Sequence, residues 1–199
     1  MTSLNNKPSF FKICHTKWKN NYKVHSADET QLLFADNSSF TPGKPDLTFH
    51  SGSDDKGPVV AVSKFVHFSR SIRIGLGDPA NPNGMKWEEL SCPNILRSSK
   101  YRMEITIPDG YGGFCRRSFV WKCPTFKTDY DLVDEETGES IAHFDNSFFS
   151  LSKDGKLYIY KSYGQAFELM VITANIALIE RRRRANSAAA AGGGGGGGG

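Results

Sequence analysis

Twelve short stretches rich in β-branched and aromatic residues recur along the chain, each bounded by turn-forming residues, and each predicts a β-strand. They cover residues 10–15, 22–26, 31–35, 46–51, 59–64, 71–75, 86–91, 101–107, 116–121, 130–134, 140–144 and 157–160. In Tyr101-Arg102-Met103-Glu104-Ile105-Thr106-Ile107 the odd positions are apolar and the even ones polar. Phe119 and Trp121 likewise share one face of the segment 117–122. Successive side chains of a strand point to opposite faces, so this alternation suits a sheet with one dry face and one wet face. The connections are equally legible. Residues 134–139 predict a polar hairpin loop in which Gly138 is free to take positive φ, and Lys153-Asp154-Gly155-Lys156 predicts a tight turn. Residues 77–84, with two prolines and two glycines, predict a loop.

The pattern changes once. From Ala166 the period of two stops, and Phe167, Met170, Val171, Ala174 and Leu178 form a helical stripe. Leu169, Ile172, Ile176 and Ile179 occupy the other side, so the helix is apolar nearly all round. Such a helix must be buried on every side or cross a membrane. The run of about 13 residues spans about 20 Å, short of the ~20 residues a bilayer core requires, so burial is expected. Arg181 to Arg184 follow, where the helix macrodipole favours cations, and are expected to end the helix near residue 184. A barrel of about eight strands fills its interior with its own side chains, whereas about twelve leave a lumen. A helix with its side chains is about 10 Å across. The expected fold is therefore mainly β: a closed antiparallel barrel of about twelve strands around a central, hydrophobic C-terminal helix over about residues 166–184.

These segments carry a resemblance. Arg116-Arg117-Ser118-Phe119-Val120-Trp121-Lys122, the hairpin 132–139, and the helix from Phe167 ending in arginines resemble the tubby C-terminal-like superfamily, and within it the small members from filamentous fungi. That superfamily includes tubby proteins, phospholipid scramblases and plant LURP-one-related proteins. The resemblance implies a twelve-stranded barrel around a hydrophobic C-terminal helix. For tubby proteins it also implies phosphoinositide binding through basic side chains on the barrel. The resemblance is sharpest over residues 116–184. The acidic run Asp129 to Glu139 lacks the spacing of an EF-hand loop and is read as a solvated turn.

Composition agrees with a globular chain: of 199 residues, 38% are hydrophobic and 23% charged, enough apolar surface to offset ordering entropy. Residues 188–199, four alanines and eight glycines, have nothing to bury and are expected to form a disordered low-complexity tail behind one domain, 1–187. Residues 1–8 hold no run of signal-peptide length, and Cys14, Cys92, Cys115 and Cys123 are too widely spaced for a CxxC pair. A cytoplasmic protein with four reduced, mostly buried thiols is expected, with a peripheral place at the membrane and a nuclear address in Arg181–Arg184 as further options. No GxSxG, HExxH, P-loop or dinucleotide-binding glycine motif is present, and the five histidines are scattered singly. The expectation is a non-enzymatic protein, with no cofactor and no metal.

The net charge of +4 hides segregation. Residues 1–23 carry five lysines and no acid, residues 97–122 are predominantly basic, and 181–184 are all arginine. Residues 127–145 hold seven acids and one lysine. If the basic segments share a face, Lys12, Lys17, Lys19, Arg102, Arg116, Arg117, Arg181 and Arg182 form an anion-binding surface for phosphoinositides or other anionic membrane lipids. Otherwise these are ordinary strand-surface charges plus a helix end. The alternative function is a soluble scaffold that binds a protein partner. A monomer is expected, and nucleic acid is not an expected partner.

Overall fold

The structure, a computed structural model, describes residues 8–16, 20–38, 41–92, 100–123, 129–146 and 154–192. All twelve expected strands are present: β1 (Ser9–His15), β2 (Tyr22–His25), β3 (Gln31–Asn37), β4 (Leu47–Ser51), β5 (Val59–Phe65) and β6 (Ile72–Leu76). They continue as β7 (Lys86–Leu90), β8 (Lys100–Pro108), β9 (Phe114–Lys122), β10 (Tyr130–Asp134), β11 (Ser140–Asp145) and β12 (Asp154–Ile159). One helix, α1 (Gln165–Gly192), follows.

The strands form one antiparallel meander, ordered β7-β6-β5-β4-β3-β2-β1-β12-β11-β10-β9-β8 around the wall. The first and last strands pair with each other, from Ser9 opposite Ile159 to Cys14 opposite Asp154. The seam of the nearly closed barrel therefore lies between β7 and β8, in mid-chain. Ser91 and Arg102 bridge it with backbone hydrogen bonds of 2.8 and 2.9 Å. Arg116 on β9 reaches past the Thr106 hydroxyl, 3.3 Å away, to grip Glu88 on β7, with one N–H to carboxylate distance of 2.8 Å.

Antiparallel order sorts the connections into two poles. Those after β2, β4, β6, β8 and β10 gather at one end, where residues 160–164 also feed the helix; those after β1, β3, β5, β7, β9 and β11 gather at the other. The helix enters the barrel at the first pole and leaves at the second. From Met170 to Glu180 every helix residue is buried, as the all-round apolar pattern requires. Phe49, Phe119, Trp121, Tyr130 and Phe144 face it from the wall, and Phe119 meets Phe167 edge-on at 5.4 Å. Each such side chain contributes on the order of 1.5–3 kcal/mol of burial.

Four expectations are corrected. Arg181–Arg184 do not end the helix; it continues through Ala188–Ala191 to Gly192, because alanine is the best helix former. Ala188–Ala191 are thus helical and exposed beyond the barrel, while Gly193–Gly199 lie outside the described residues. Asp154 and Gly155 are not a tight turn but the start of β12, with Gly155 opposite Ile13. A Cβ there would sit 2.2 Å from the Phe144 ring, so this glycine serves close packing rather than a turn. Asp134 is not solvated but fully buried. The hairpin that it begins is as expected, and Gly138 has a φ of 72°. The cysteines are all free thiols, although Cys115 is exposed and the other three are only half-buried.

Several buried polar groups lack a hydrogen-bond partner among the described residues, the Trp121 indole N–H and the Ser63 hydroxyl among them, and one lies on the central helix. The side-chain amide of Asn175 is buried without a hydrogen-bond partner among the described residues. Burying such a group costs about 1–3 kcal/mol. Asn175→Leu, close in volume, is therefore expected to raise the melting temperature by a few degrees, read by differential scanning calorimetry. A fall would show that the amide is satisfied.

Candidate functional site

The helix-exit pole is organised by a carboxylate. Glu180, the last fully buried helix residue, accepts the Tyr22 hydroxyl at 2.8 Å and three guanidinium N–H groups at 2.7 Å, two from Arg183 and one from Arg184. Arg184 also reaches Asp46 at 2.6 Å and Asn37 at 2.9 Å and lies over the Phe65 ring. Burial alone pushes the Glu180 carboxyl up. The hydrogen bonds from Arg183, Arg184, Asn37 and Tyr22 outweigh that and hold it at about 2, so it is ionised. The Tyr22 phenol is raised, first by burial and then by this negative neighbour, so it stays a donor. The network ties the helix to the start of β2, the end of β3 and the segment before β4. A cavity of about 220 Å³ lies beside it, walled by Ile13, Tyr22, Phe144 and Ile179, with Arg183 at its edge.

Beside the network stands the β5–β6 loop. Val66 N–H bonds to the Ser71 carbonyl at 3.1 Å and closes it, and Arg181 clamps it through the carbonyls of Ser69 and Ser71, the latter at 2.8 Å. At its tip Phe68 is fully exposed (108%) with a φ of 59°, left-handed backbone that a bulky side chain rarely adopts. Arg70 in the same loop and Lys44 in the neighbouring β3–β4 loop have no ion-pair partner among the described residues.

Charge divides along the barrel axis. Among the described residues, connections at the helix-entry pole carry Asp28, Glu29, Asp54, Asp55, Asp78, Asp109, Glu135, Glu136 and Glu139 against Lys56 and Lys161. Those at the exit pole carry Lys44 and Arg70 against Asp46 and Asp129, and the helix adds Arg181–Arg184 against Glu180.

The eight basic residues singled out from sequence are spread over the molecule. Lys12, on the outer face of β1, lies 3.7 Å from Glu29. Arg102 and Arg116 project from β8 and β9, which lie five and four strand steps from β1. Arg102 pairs with Glu135 at 2.6 Å and Arg116 with Glu88. Arg117 turns inward at the entry pole and pairs with buried Asp134. Burial alone raises the Asp134 carboxyl, but the N–H groups of Thr137 and Glu136 together with Arg117 bring it below its ordinary value. Arg181 and Arg182 stand at the exit rim, Arg182 over the Tyr130 ring at 5.9 Å. Lys17 and Lys19 lie outside the described residues. The strand order brings Arg181 and Arg182 together and sets Lys12 nearly opposite Arg102.

Sequence reasoning missed Glu180, Phe68 and Arg70. The spacing of Glu180 to Arg183 and Arg184, three and four residues on, was a readable ion-pair signal. Phe68 stood outside every periodic segment and gave none. Two other pairings are close. Cys14 Sγ lies 3.9 Å from His25 Nδ1, and His143 Nδ1 lies 2.7 Å from Asp131. Among the described residues, no cluster of three or more His, Cys, Asp or Glu side chains could hold a metal ion.

No helix among the described residues is long and apolar enough to cross a membrane. No protein-family model matches the chain, and no curated protein matches it. Among solved structures, the X-ray structure of a protein from Arabidopsis thaliana is similar, with a TM-score of 0.53 at 12% sequence identity, covering 86% of this chain and 93% of that one. At that identity the likeness concerns the fold alone, and the twelve-stranded barrel with its C-terminal helix is compatible with the tubby-like architecture.

Proposed function

We propose that the chain is a non-enzymatic, tubby-like domain, nearest to the small fungal members, that docks peripherally on anionic membrane surfaces through its helix-exit pole. The observation that carries this reading is Phe68: a fully exposed aromatic ring on a clamped loop, beside Arg70 and Lys44, which have no ion-pair partner among the described residues. An aromatic ring that enters the headgroup region gains burial, while basic neighbours gain about 1 kcal/mol each near an anionic leaflet. The acidic pole faces away from the lipid, so the charge division orients the barrel. Arg183 and Arg184 hold the platform through Glu180 rather than contacting headgroups. In this reading the lipid contacts are Phe68, Arg70, Lys44 and the exposed parts of Arg181 and Arg182, with phosphoinositides as preferred headgroups.

Vesicle pelleting tests the proposal. The parent chain is expected to sediment with phosphoinositide-containing vesicles at low salt and to be released near 1 M salt, where the Debye length falls to about 3 Å. Phe68→Ala and Arg70→Glu are each expected to weaken binding about tenfold with unchanged melting. Equal binding of the parent and both variants would refute it. A second reading, a soluble interaction scaffold, draws on the acidic pole, where Tyr111 and Phe114 are exposed. It predicts a protein that ignores vesicles and co-purifies with a basic partner from native lysate.

A further inference from the structure

At the opposite pole the seam opens into a cavity. The backbone bridge between β7 and β8 lies at the exit end, at Ser91 and Arg102. Toward the entry end, the space between these strands and the helix N-terminus holds a cavity of about 480 Å³. That volume falls within the range of small-ligand sites, about 300–1,000 Å³. Leu76, Ile105, Phe167 and Met170 wall it, and Phe114, three-quarters exposed, stands at its lip.

Charge enters this apolar space from an unusual direction. On β7 the buried Leu90 marks the inward face, and Glu88 and Lys86 alternate with it on that same face. Both line the cavity. Glu88 is neutralised by Arg116, whereas Lys86 has no partner among the described residues. Gln165 and Ala166, the first helix residues, also line the cavity, and backbone N–H groups of a first turn have no intrahelical acceptor. An apolar chamber with one free ammonium and a helix N-terminus at its wall suits a ligand with an apolar tail and an anionic head.

We propose that this seam cavity binds a carboxylate-headed amphiphile with a single alkyl chain, its tail against Ile105, Phe167 and Met170 and its carboxylate at Lys86. The acidic loops of this pole oppose an anion at long range. At physiological ionic strength a Debye length of about 8 Å screens them, while the direct contact with Lys86 is not screened. The site is independent of the membrane reading, since it lies at the other end of the barrel. Free fatty acid and the acyl chain of a phospholipid share the tail chemistry, and the cavity size favours the free acid.

Isothermal titration of the full chain with laurate, below its micelle concentration, is the test. Saturable binding is expected, with a stoichiometry of one. Lys86→Glu should weaken it about tenfold or more without changing the melting temperature, because the residue is exposed and has no partner among the described residues. Met170→Trp should abolish it by filling the chamber, and Ile105→Phe gives the same readout if the first variant does not fold. Dodecanol, with the same tail and no charge, should bind more weakly than laurate and be indifferent to Lys86→Glu. Absence of laurate binding, or binding that Lys86→Glu and the filling variants leave unchanged, would overturn the proposal. Binding to phospholipid vesicles that Met170→Trp or Ile105→Phe abolishes, with no binding of free laurate, would overturn the free acid as the occupant.

Discussion

Met170→Asp is expected to leave the chain unfolded at 25 °C, with the far-ultraviolet circular dichroism of the barrel lost. Met170 sits where the helix becomes buried on all sides, and Ile172, two residues further on, is buried as well. A carboxylate at either position would enter the barrel interior without a partner. An isolated charge in such a medium costs far more than a polar group without a hydrogen bond, and the lost apolar contacts add to that. Domains of this size are stable by only about 5–15 kcal/mol, so one such substitution consumes most of that margin. Ile172→Asp should behave alike. Ala189→Asp, on the exposed continuation of the same helix, should melt like the parent. If both core variants melted like the parent too, the helix would not fill the barrel.

The second large effect concerns acid. The folded-state pKa of Glu180 is held at about 2, below its ordinary value of 4.5. The unfolded chain therefore takes up this proton first as pH falls. The stabilisation is fully present above pH 4.5 and is lost progressively as the pH drops through about 2. The shift corresponds to about 3 kcal/mol. Glu180→Gln removes the charge and strands the guanidinium groups of Arg183 and Arg184. Breaking a buried pair in this way costs about 3–5 kcal/mol at neutral pH. The variant is expected to melt well below the parent at pH 7, and the difference should shrink toward pH 2. A constant difference across that range, from thermal melts at half-unit pH steps, would show that Glu180 is not the acid-sensitive group.

The strands were legible because a half-buried wall forces alternation, as in residues 101–107, and nearly every boundary falls within two residues of the observed one. The helix was legible because a run apolar all round has few places to go. The closure was not legible. That β1 pairs with β12, and that the seam falls between β7 and β8, depends on partners far apart in the chain. Asp154 and Gly155 misled for a related reason: an Asp-Gly pair carries a turn signal wherever it occurs, and the Phe144 ring that excludes a side chain at Gly155 becomes visible only when β11 and β12 are paired. The candidate site was read least well. Composition marked Arg181–Arg184 as a basic segment, but Tyr22 and Asp46, which help to set its role, lie in the first quarter of the chain. A carboxylate at the end of an apolar run looks like the onset of a polar surface, although it is the anchor of the arginines that follow. Phe68 belongs to no period, and only its exposure in the folded chain makes it informative.

The membrane reading assigns a direction to the barrel, and one measurement addresses that direction. Phe68→Trp and Tyr111→Trp place an indole at the exit pole and the entry pole respectively, both at fully exposed positions. Emission of each variant, with the parent spectrum subtracted, is followed as vesicles of phosphatidylcholine and phosphoinositide are added, with brominated lipid as quencher. The account predicts a blue shift and quenching for Phe68→Trp and neither for Tyr111→Trp. Quenching of Tyr111→Trp alone, or of neither variant, would contradict it.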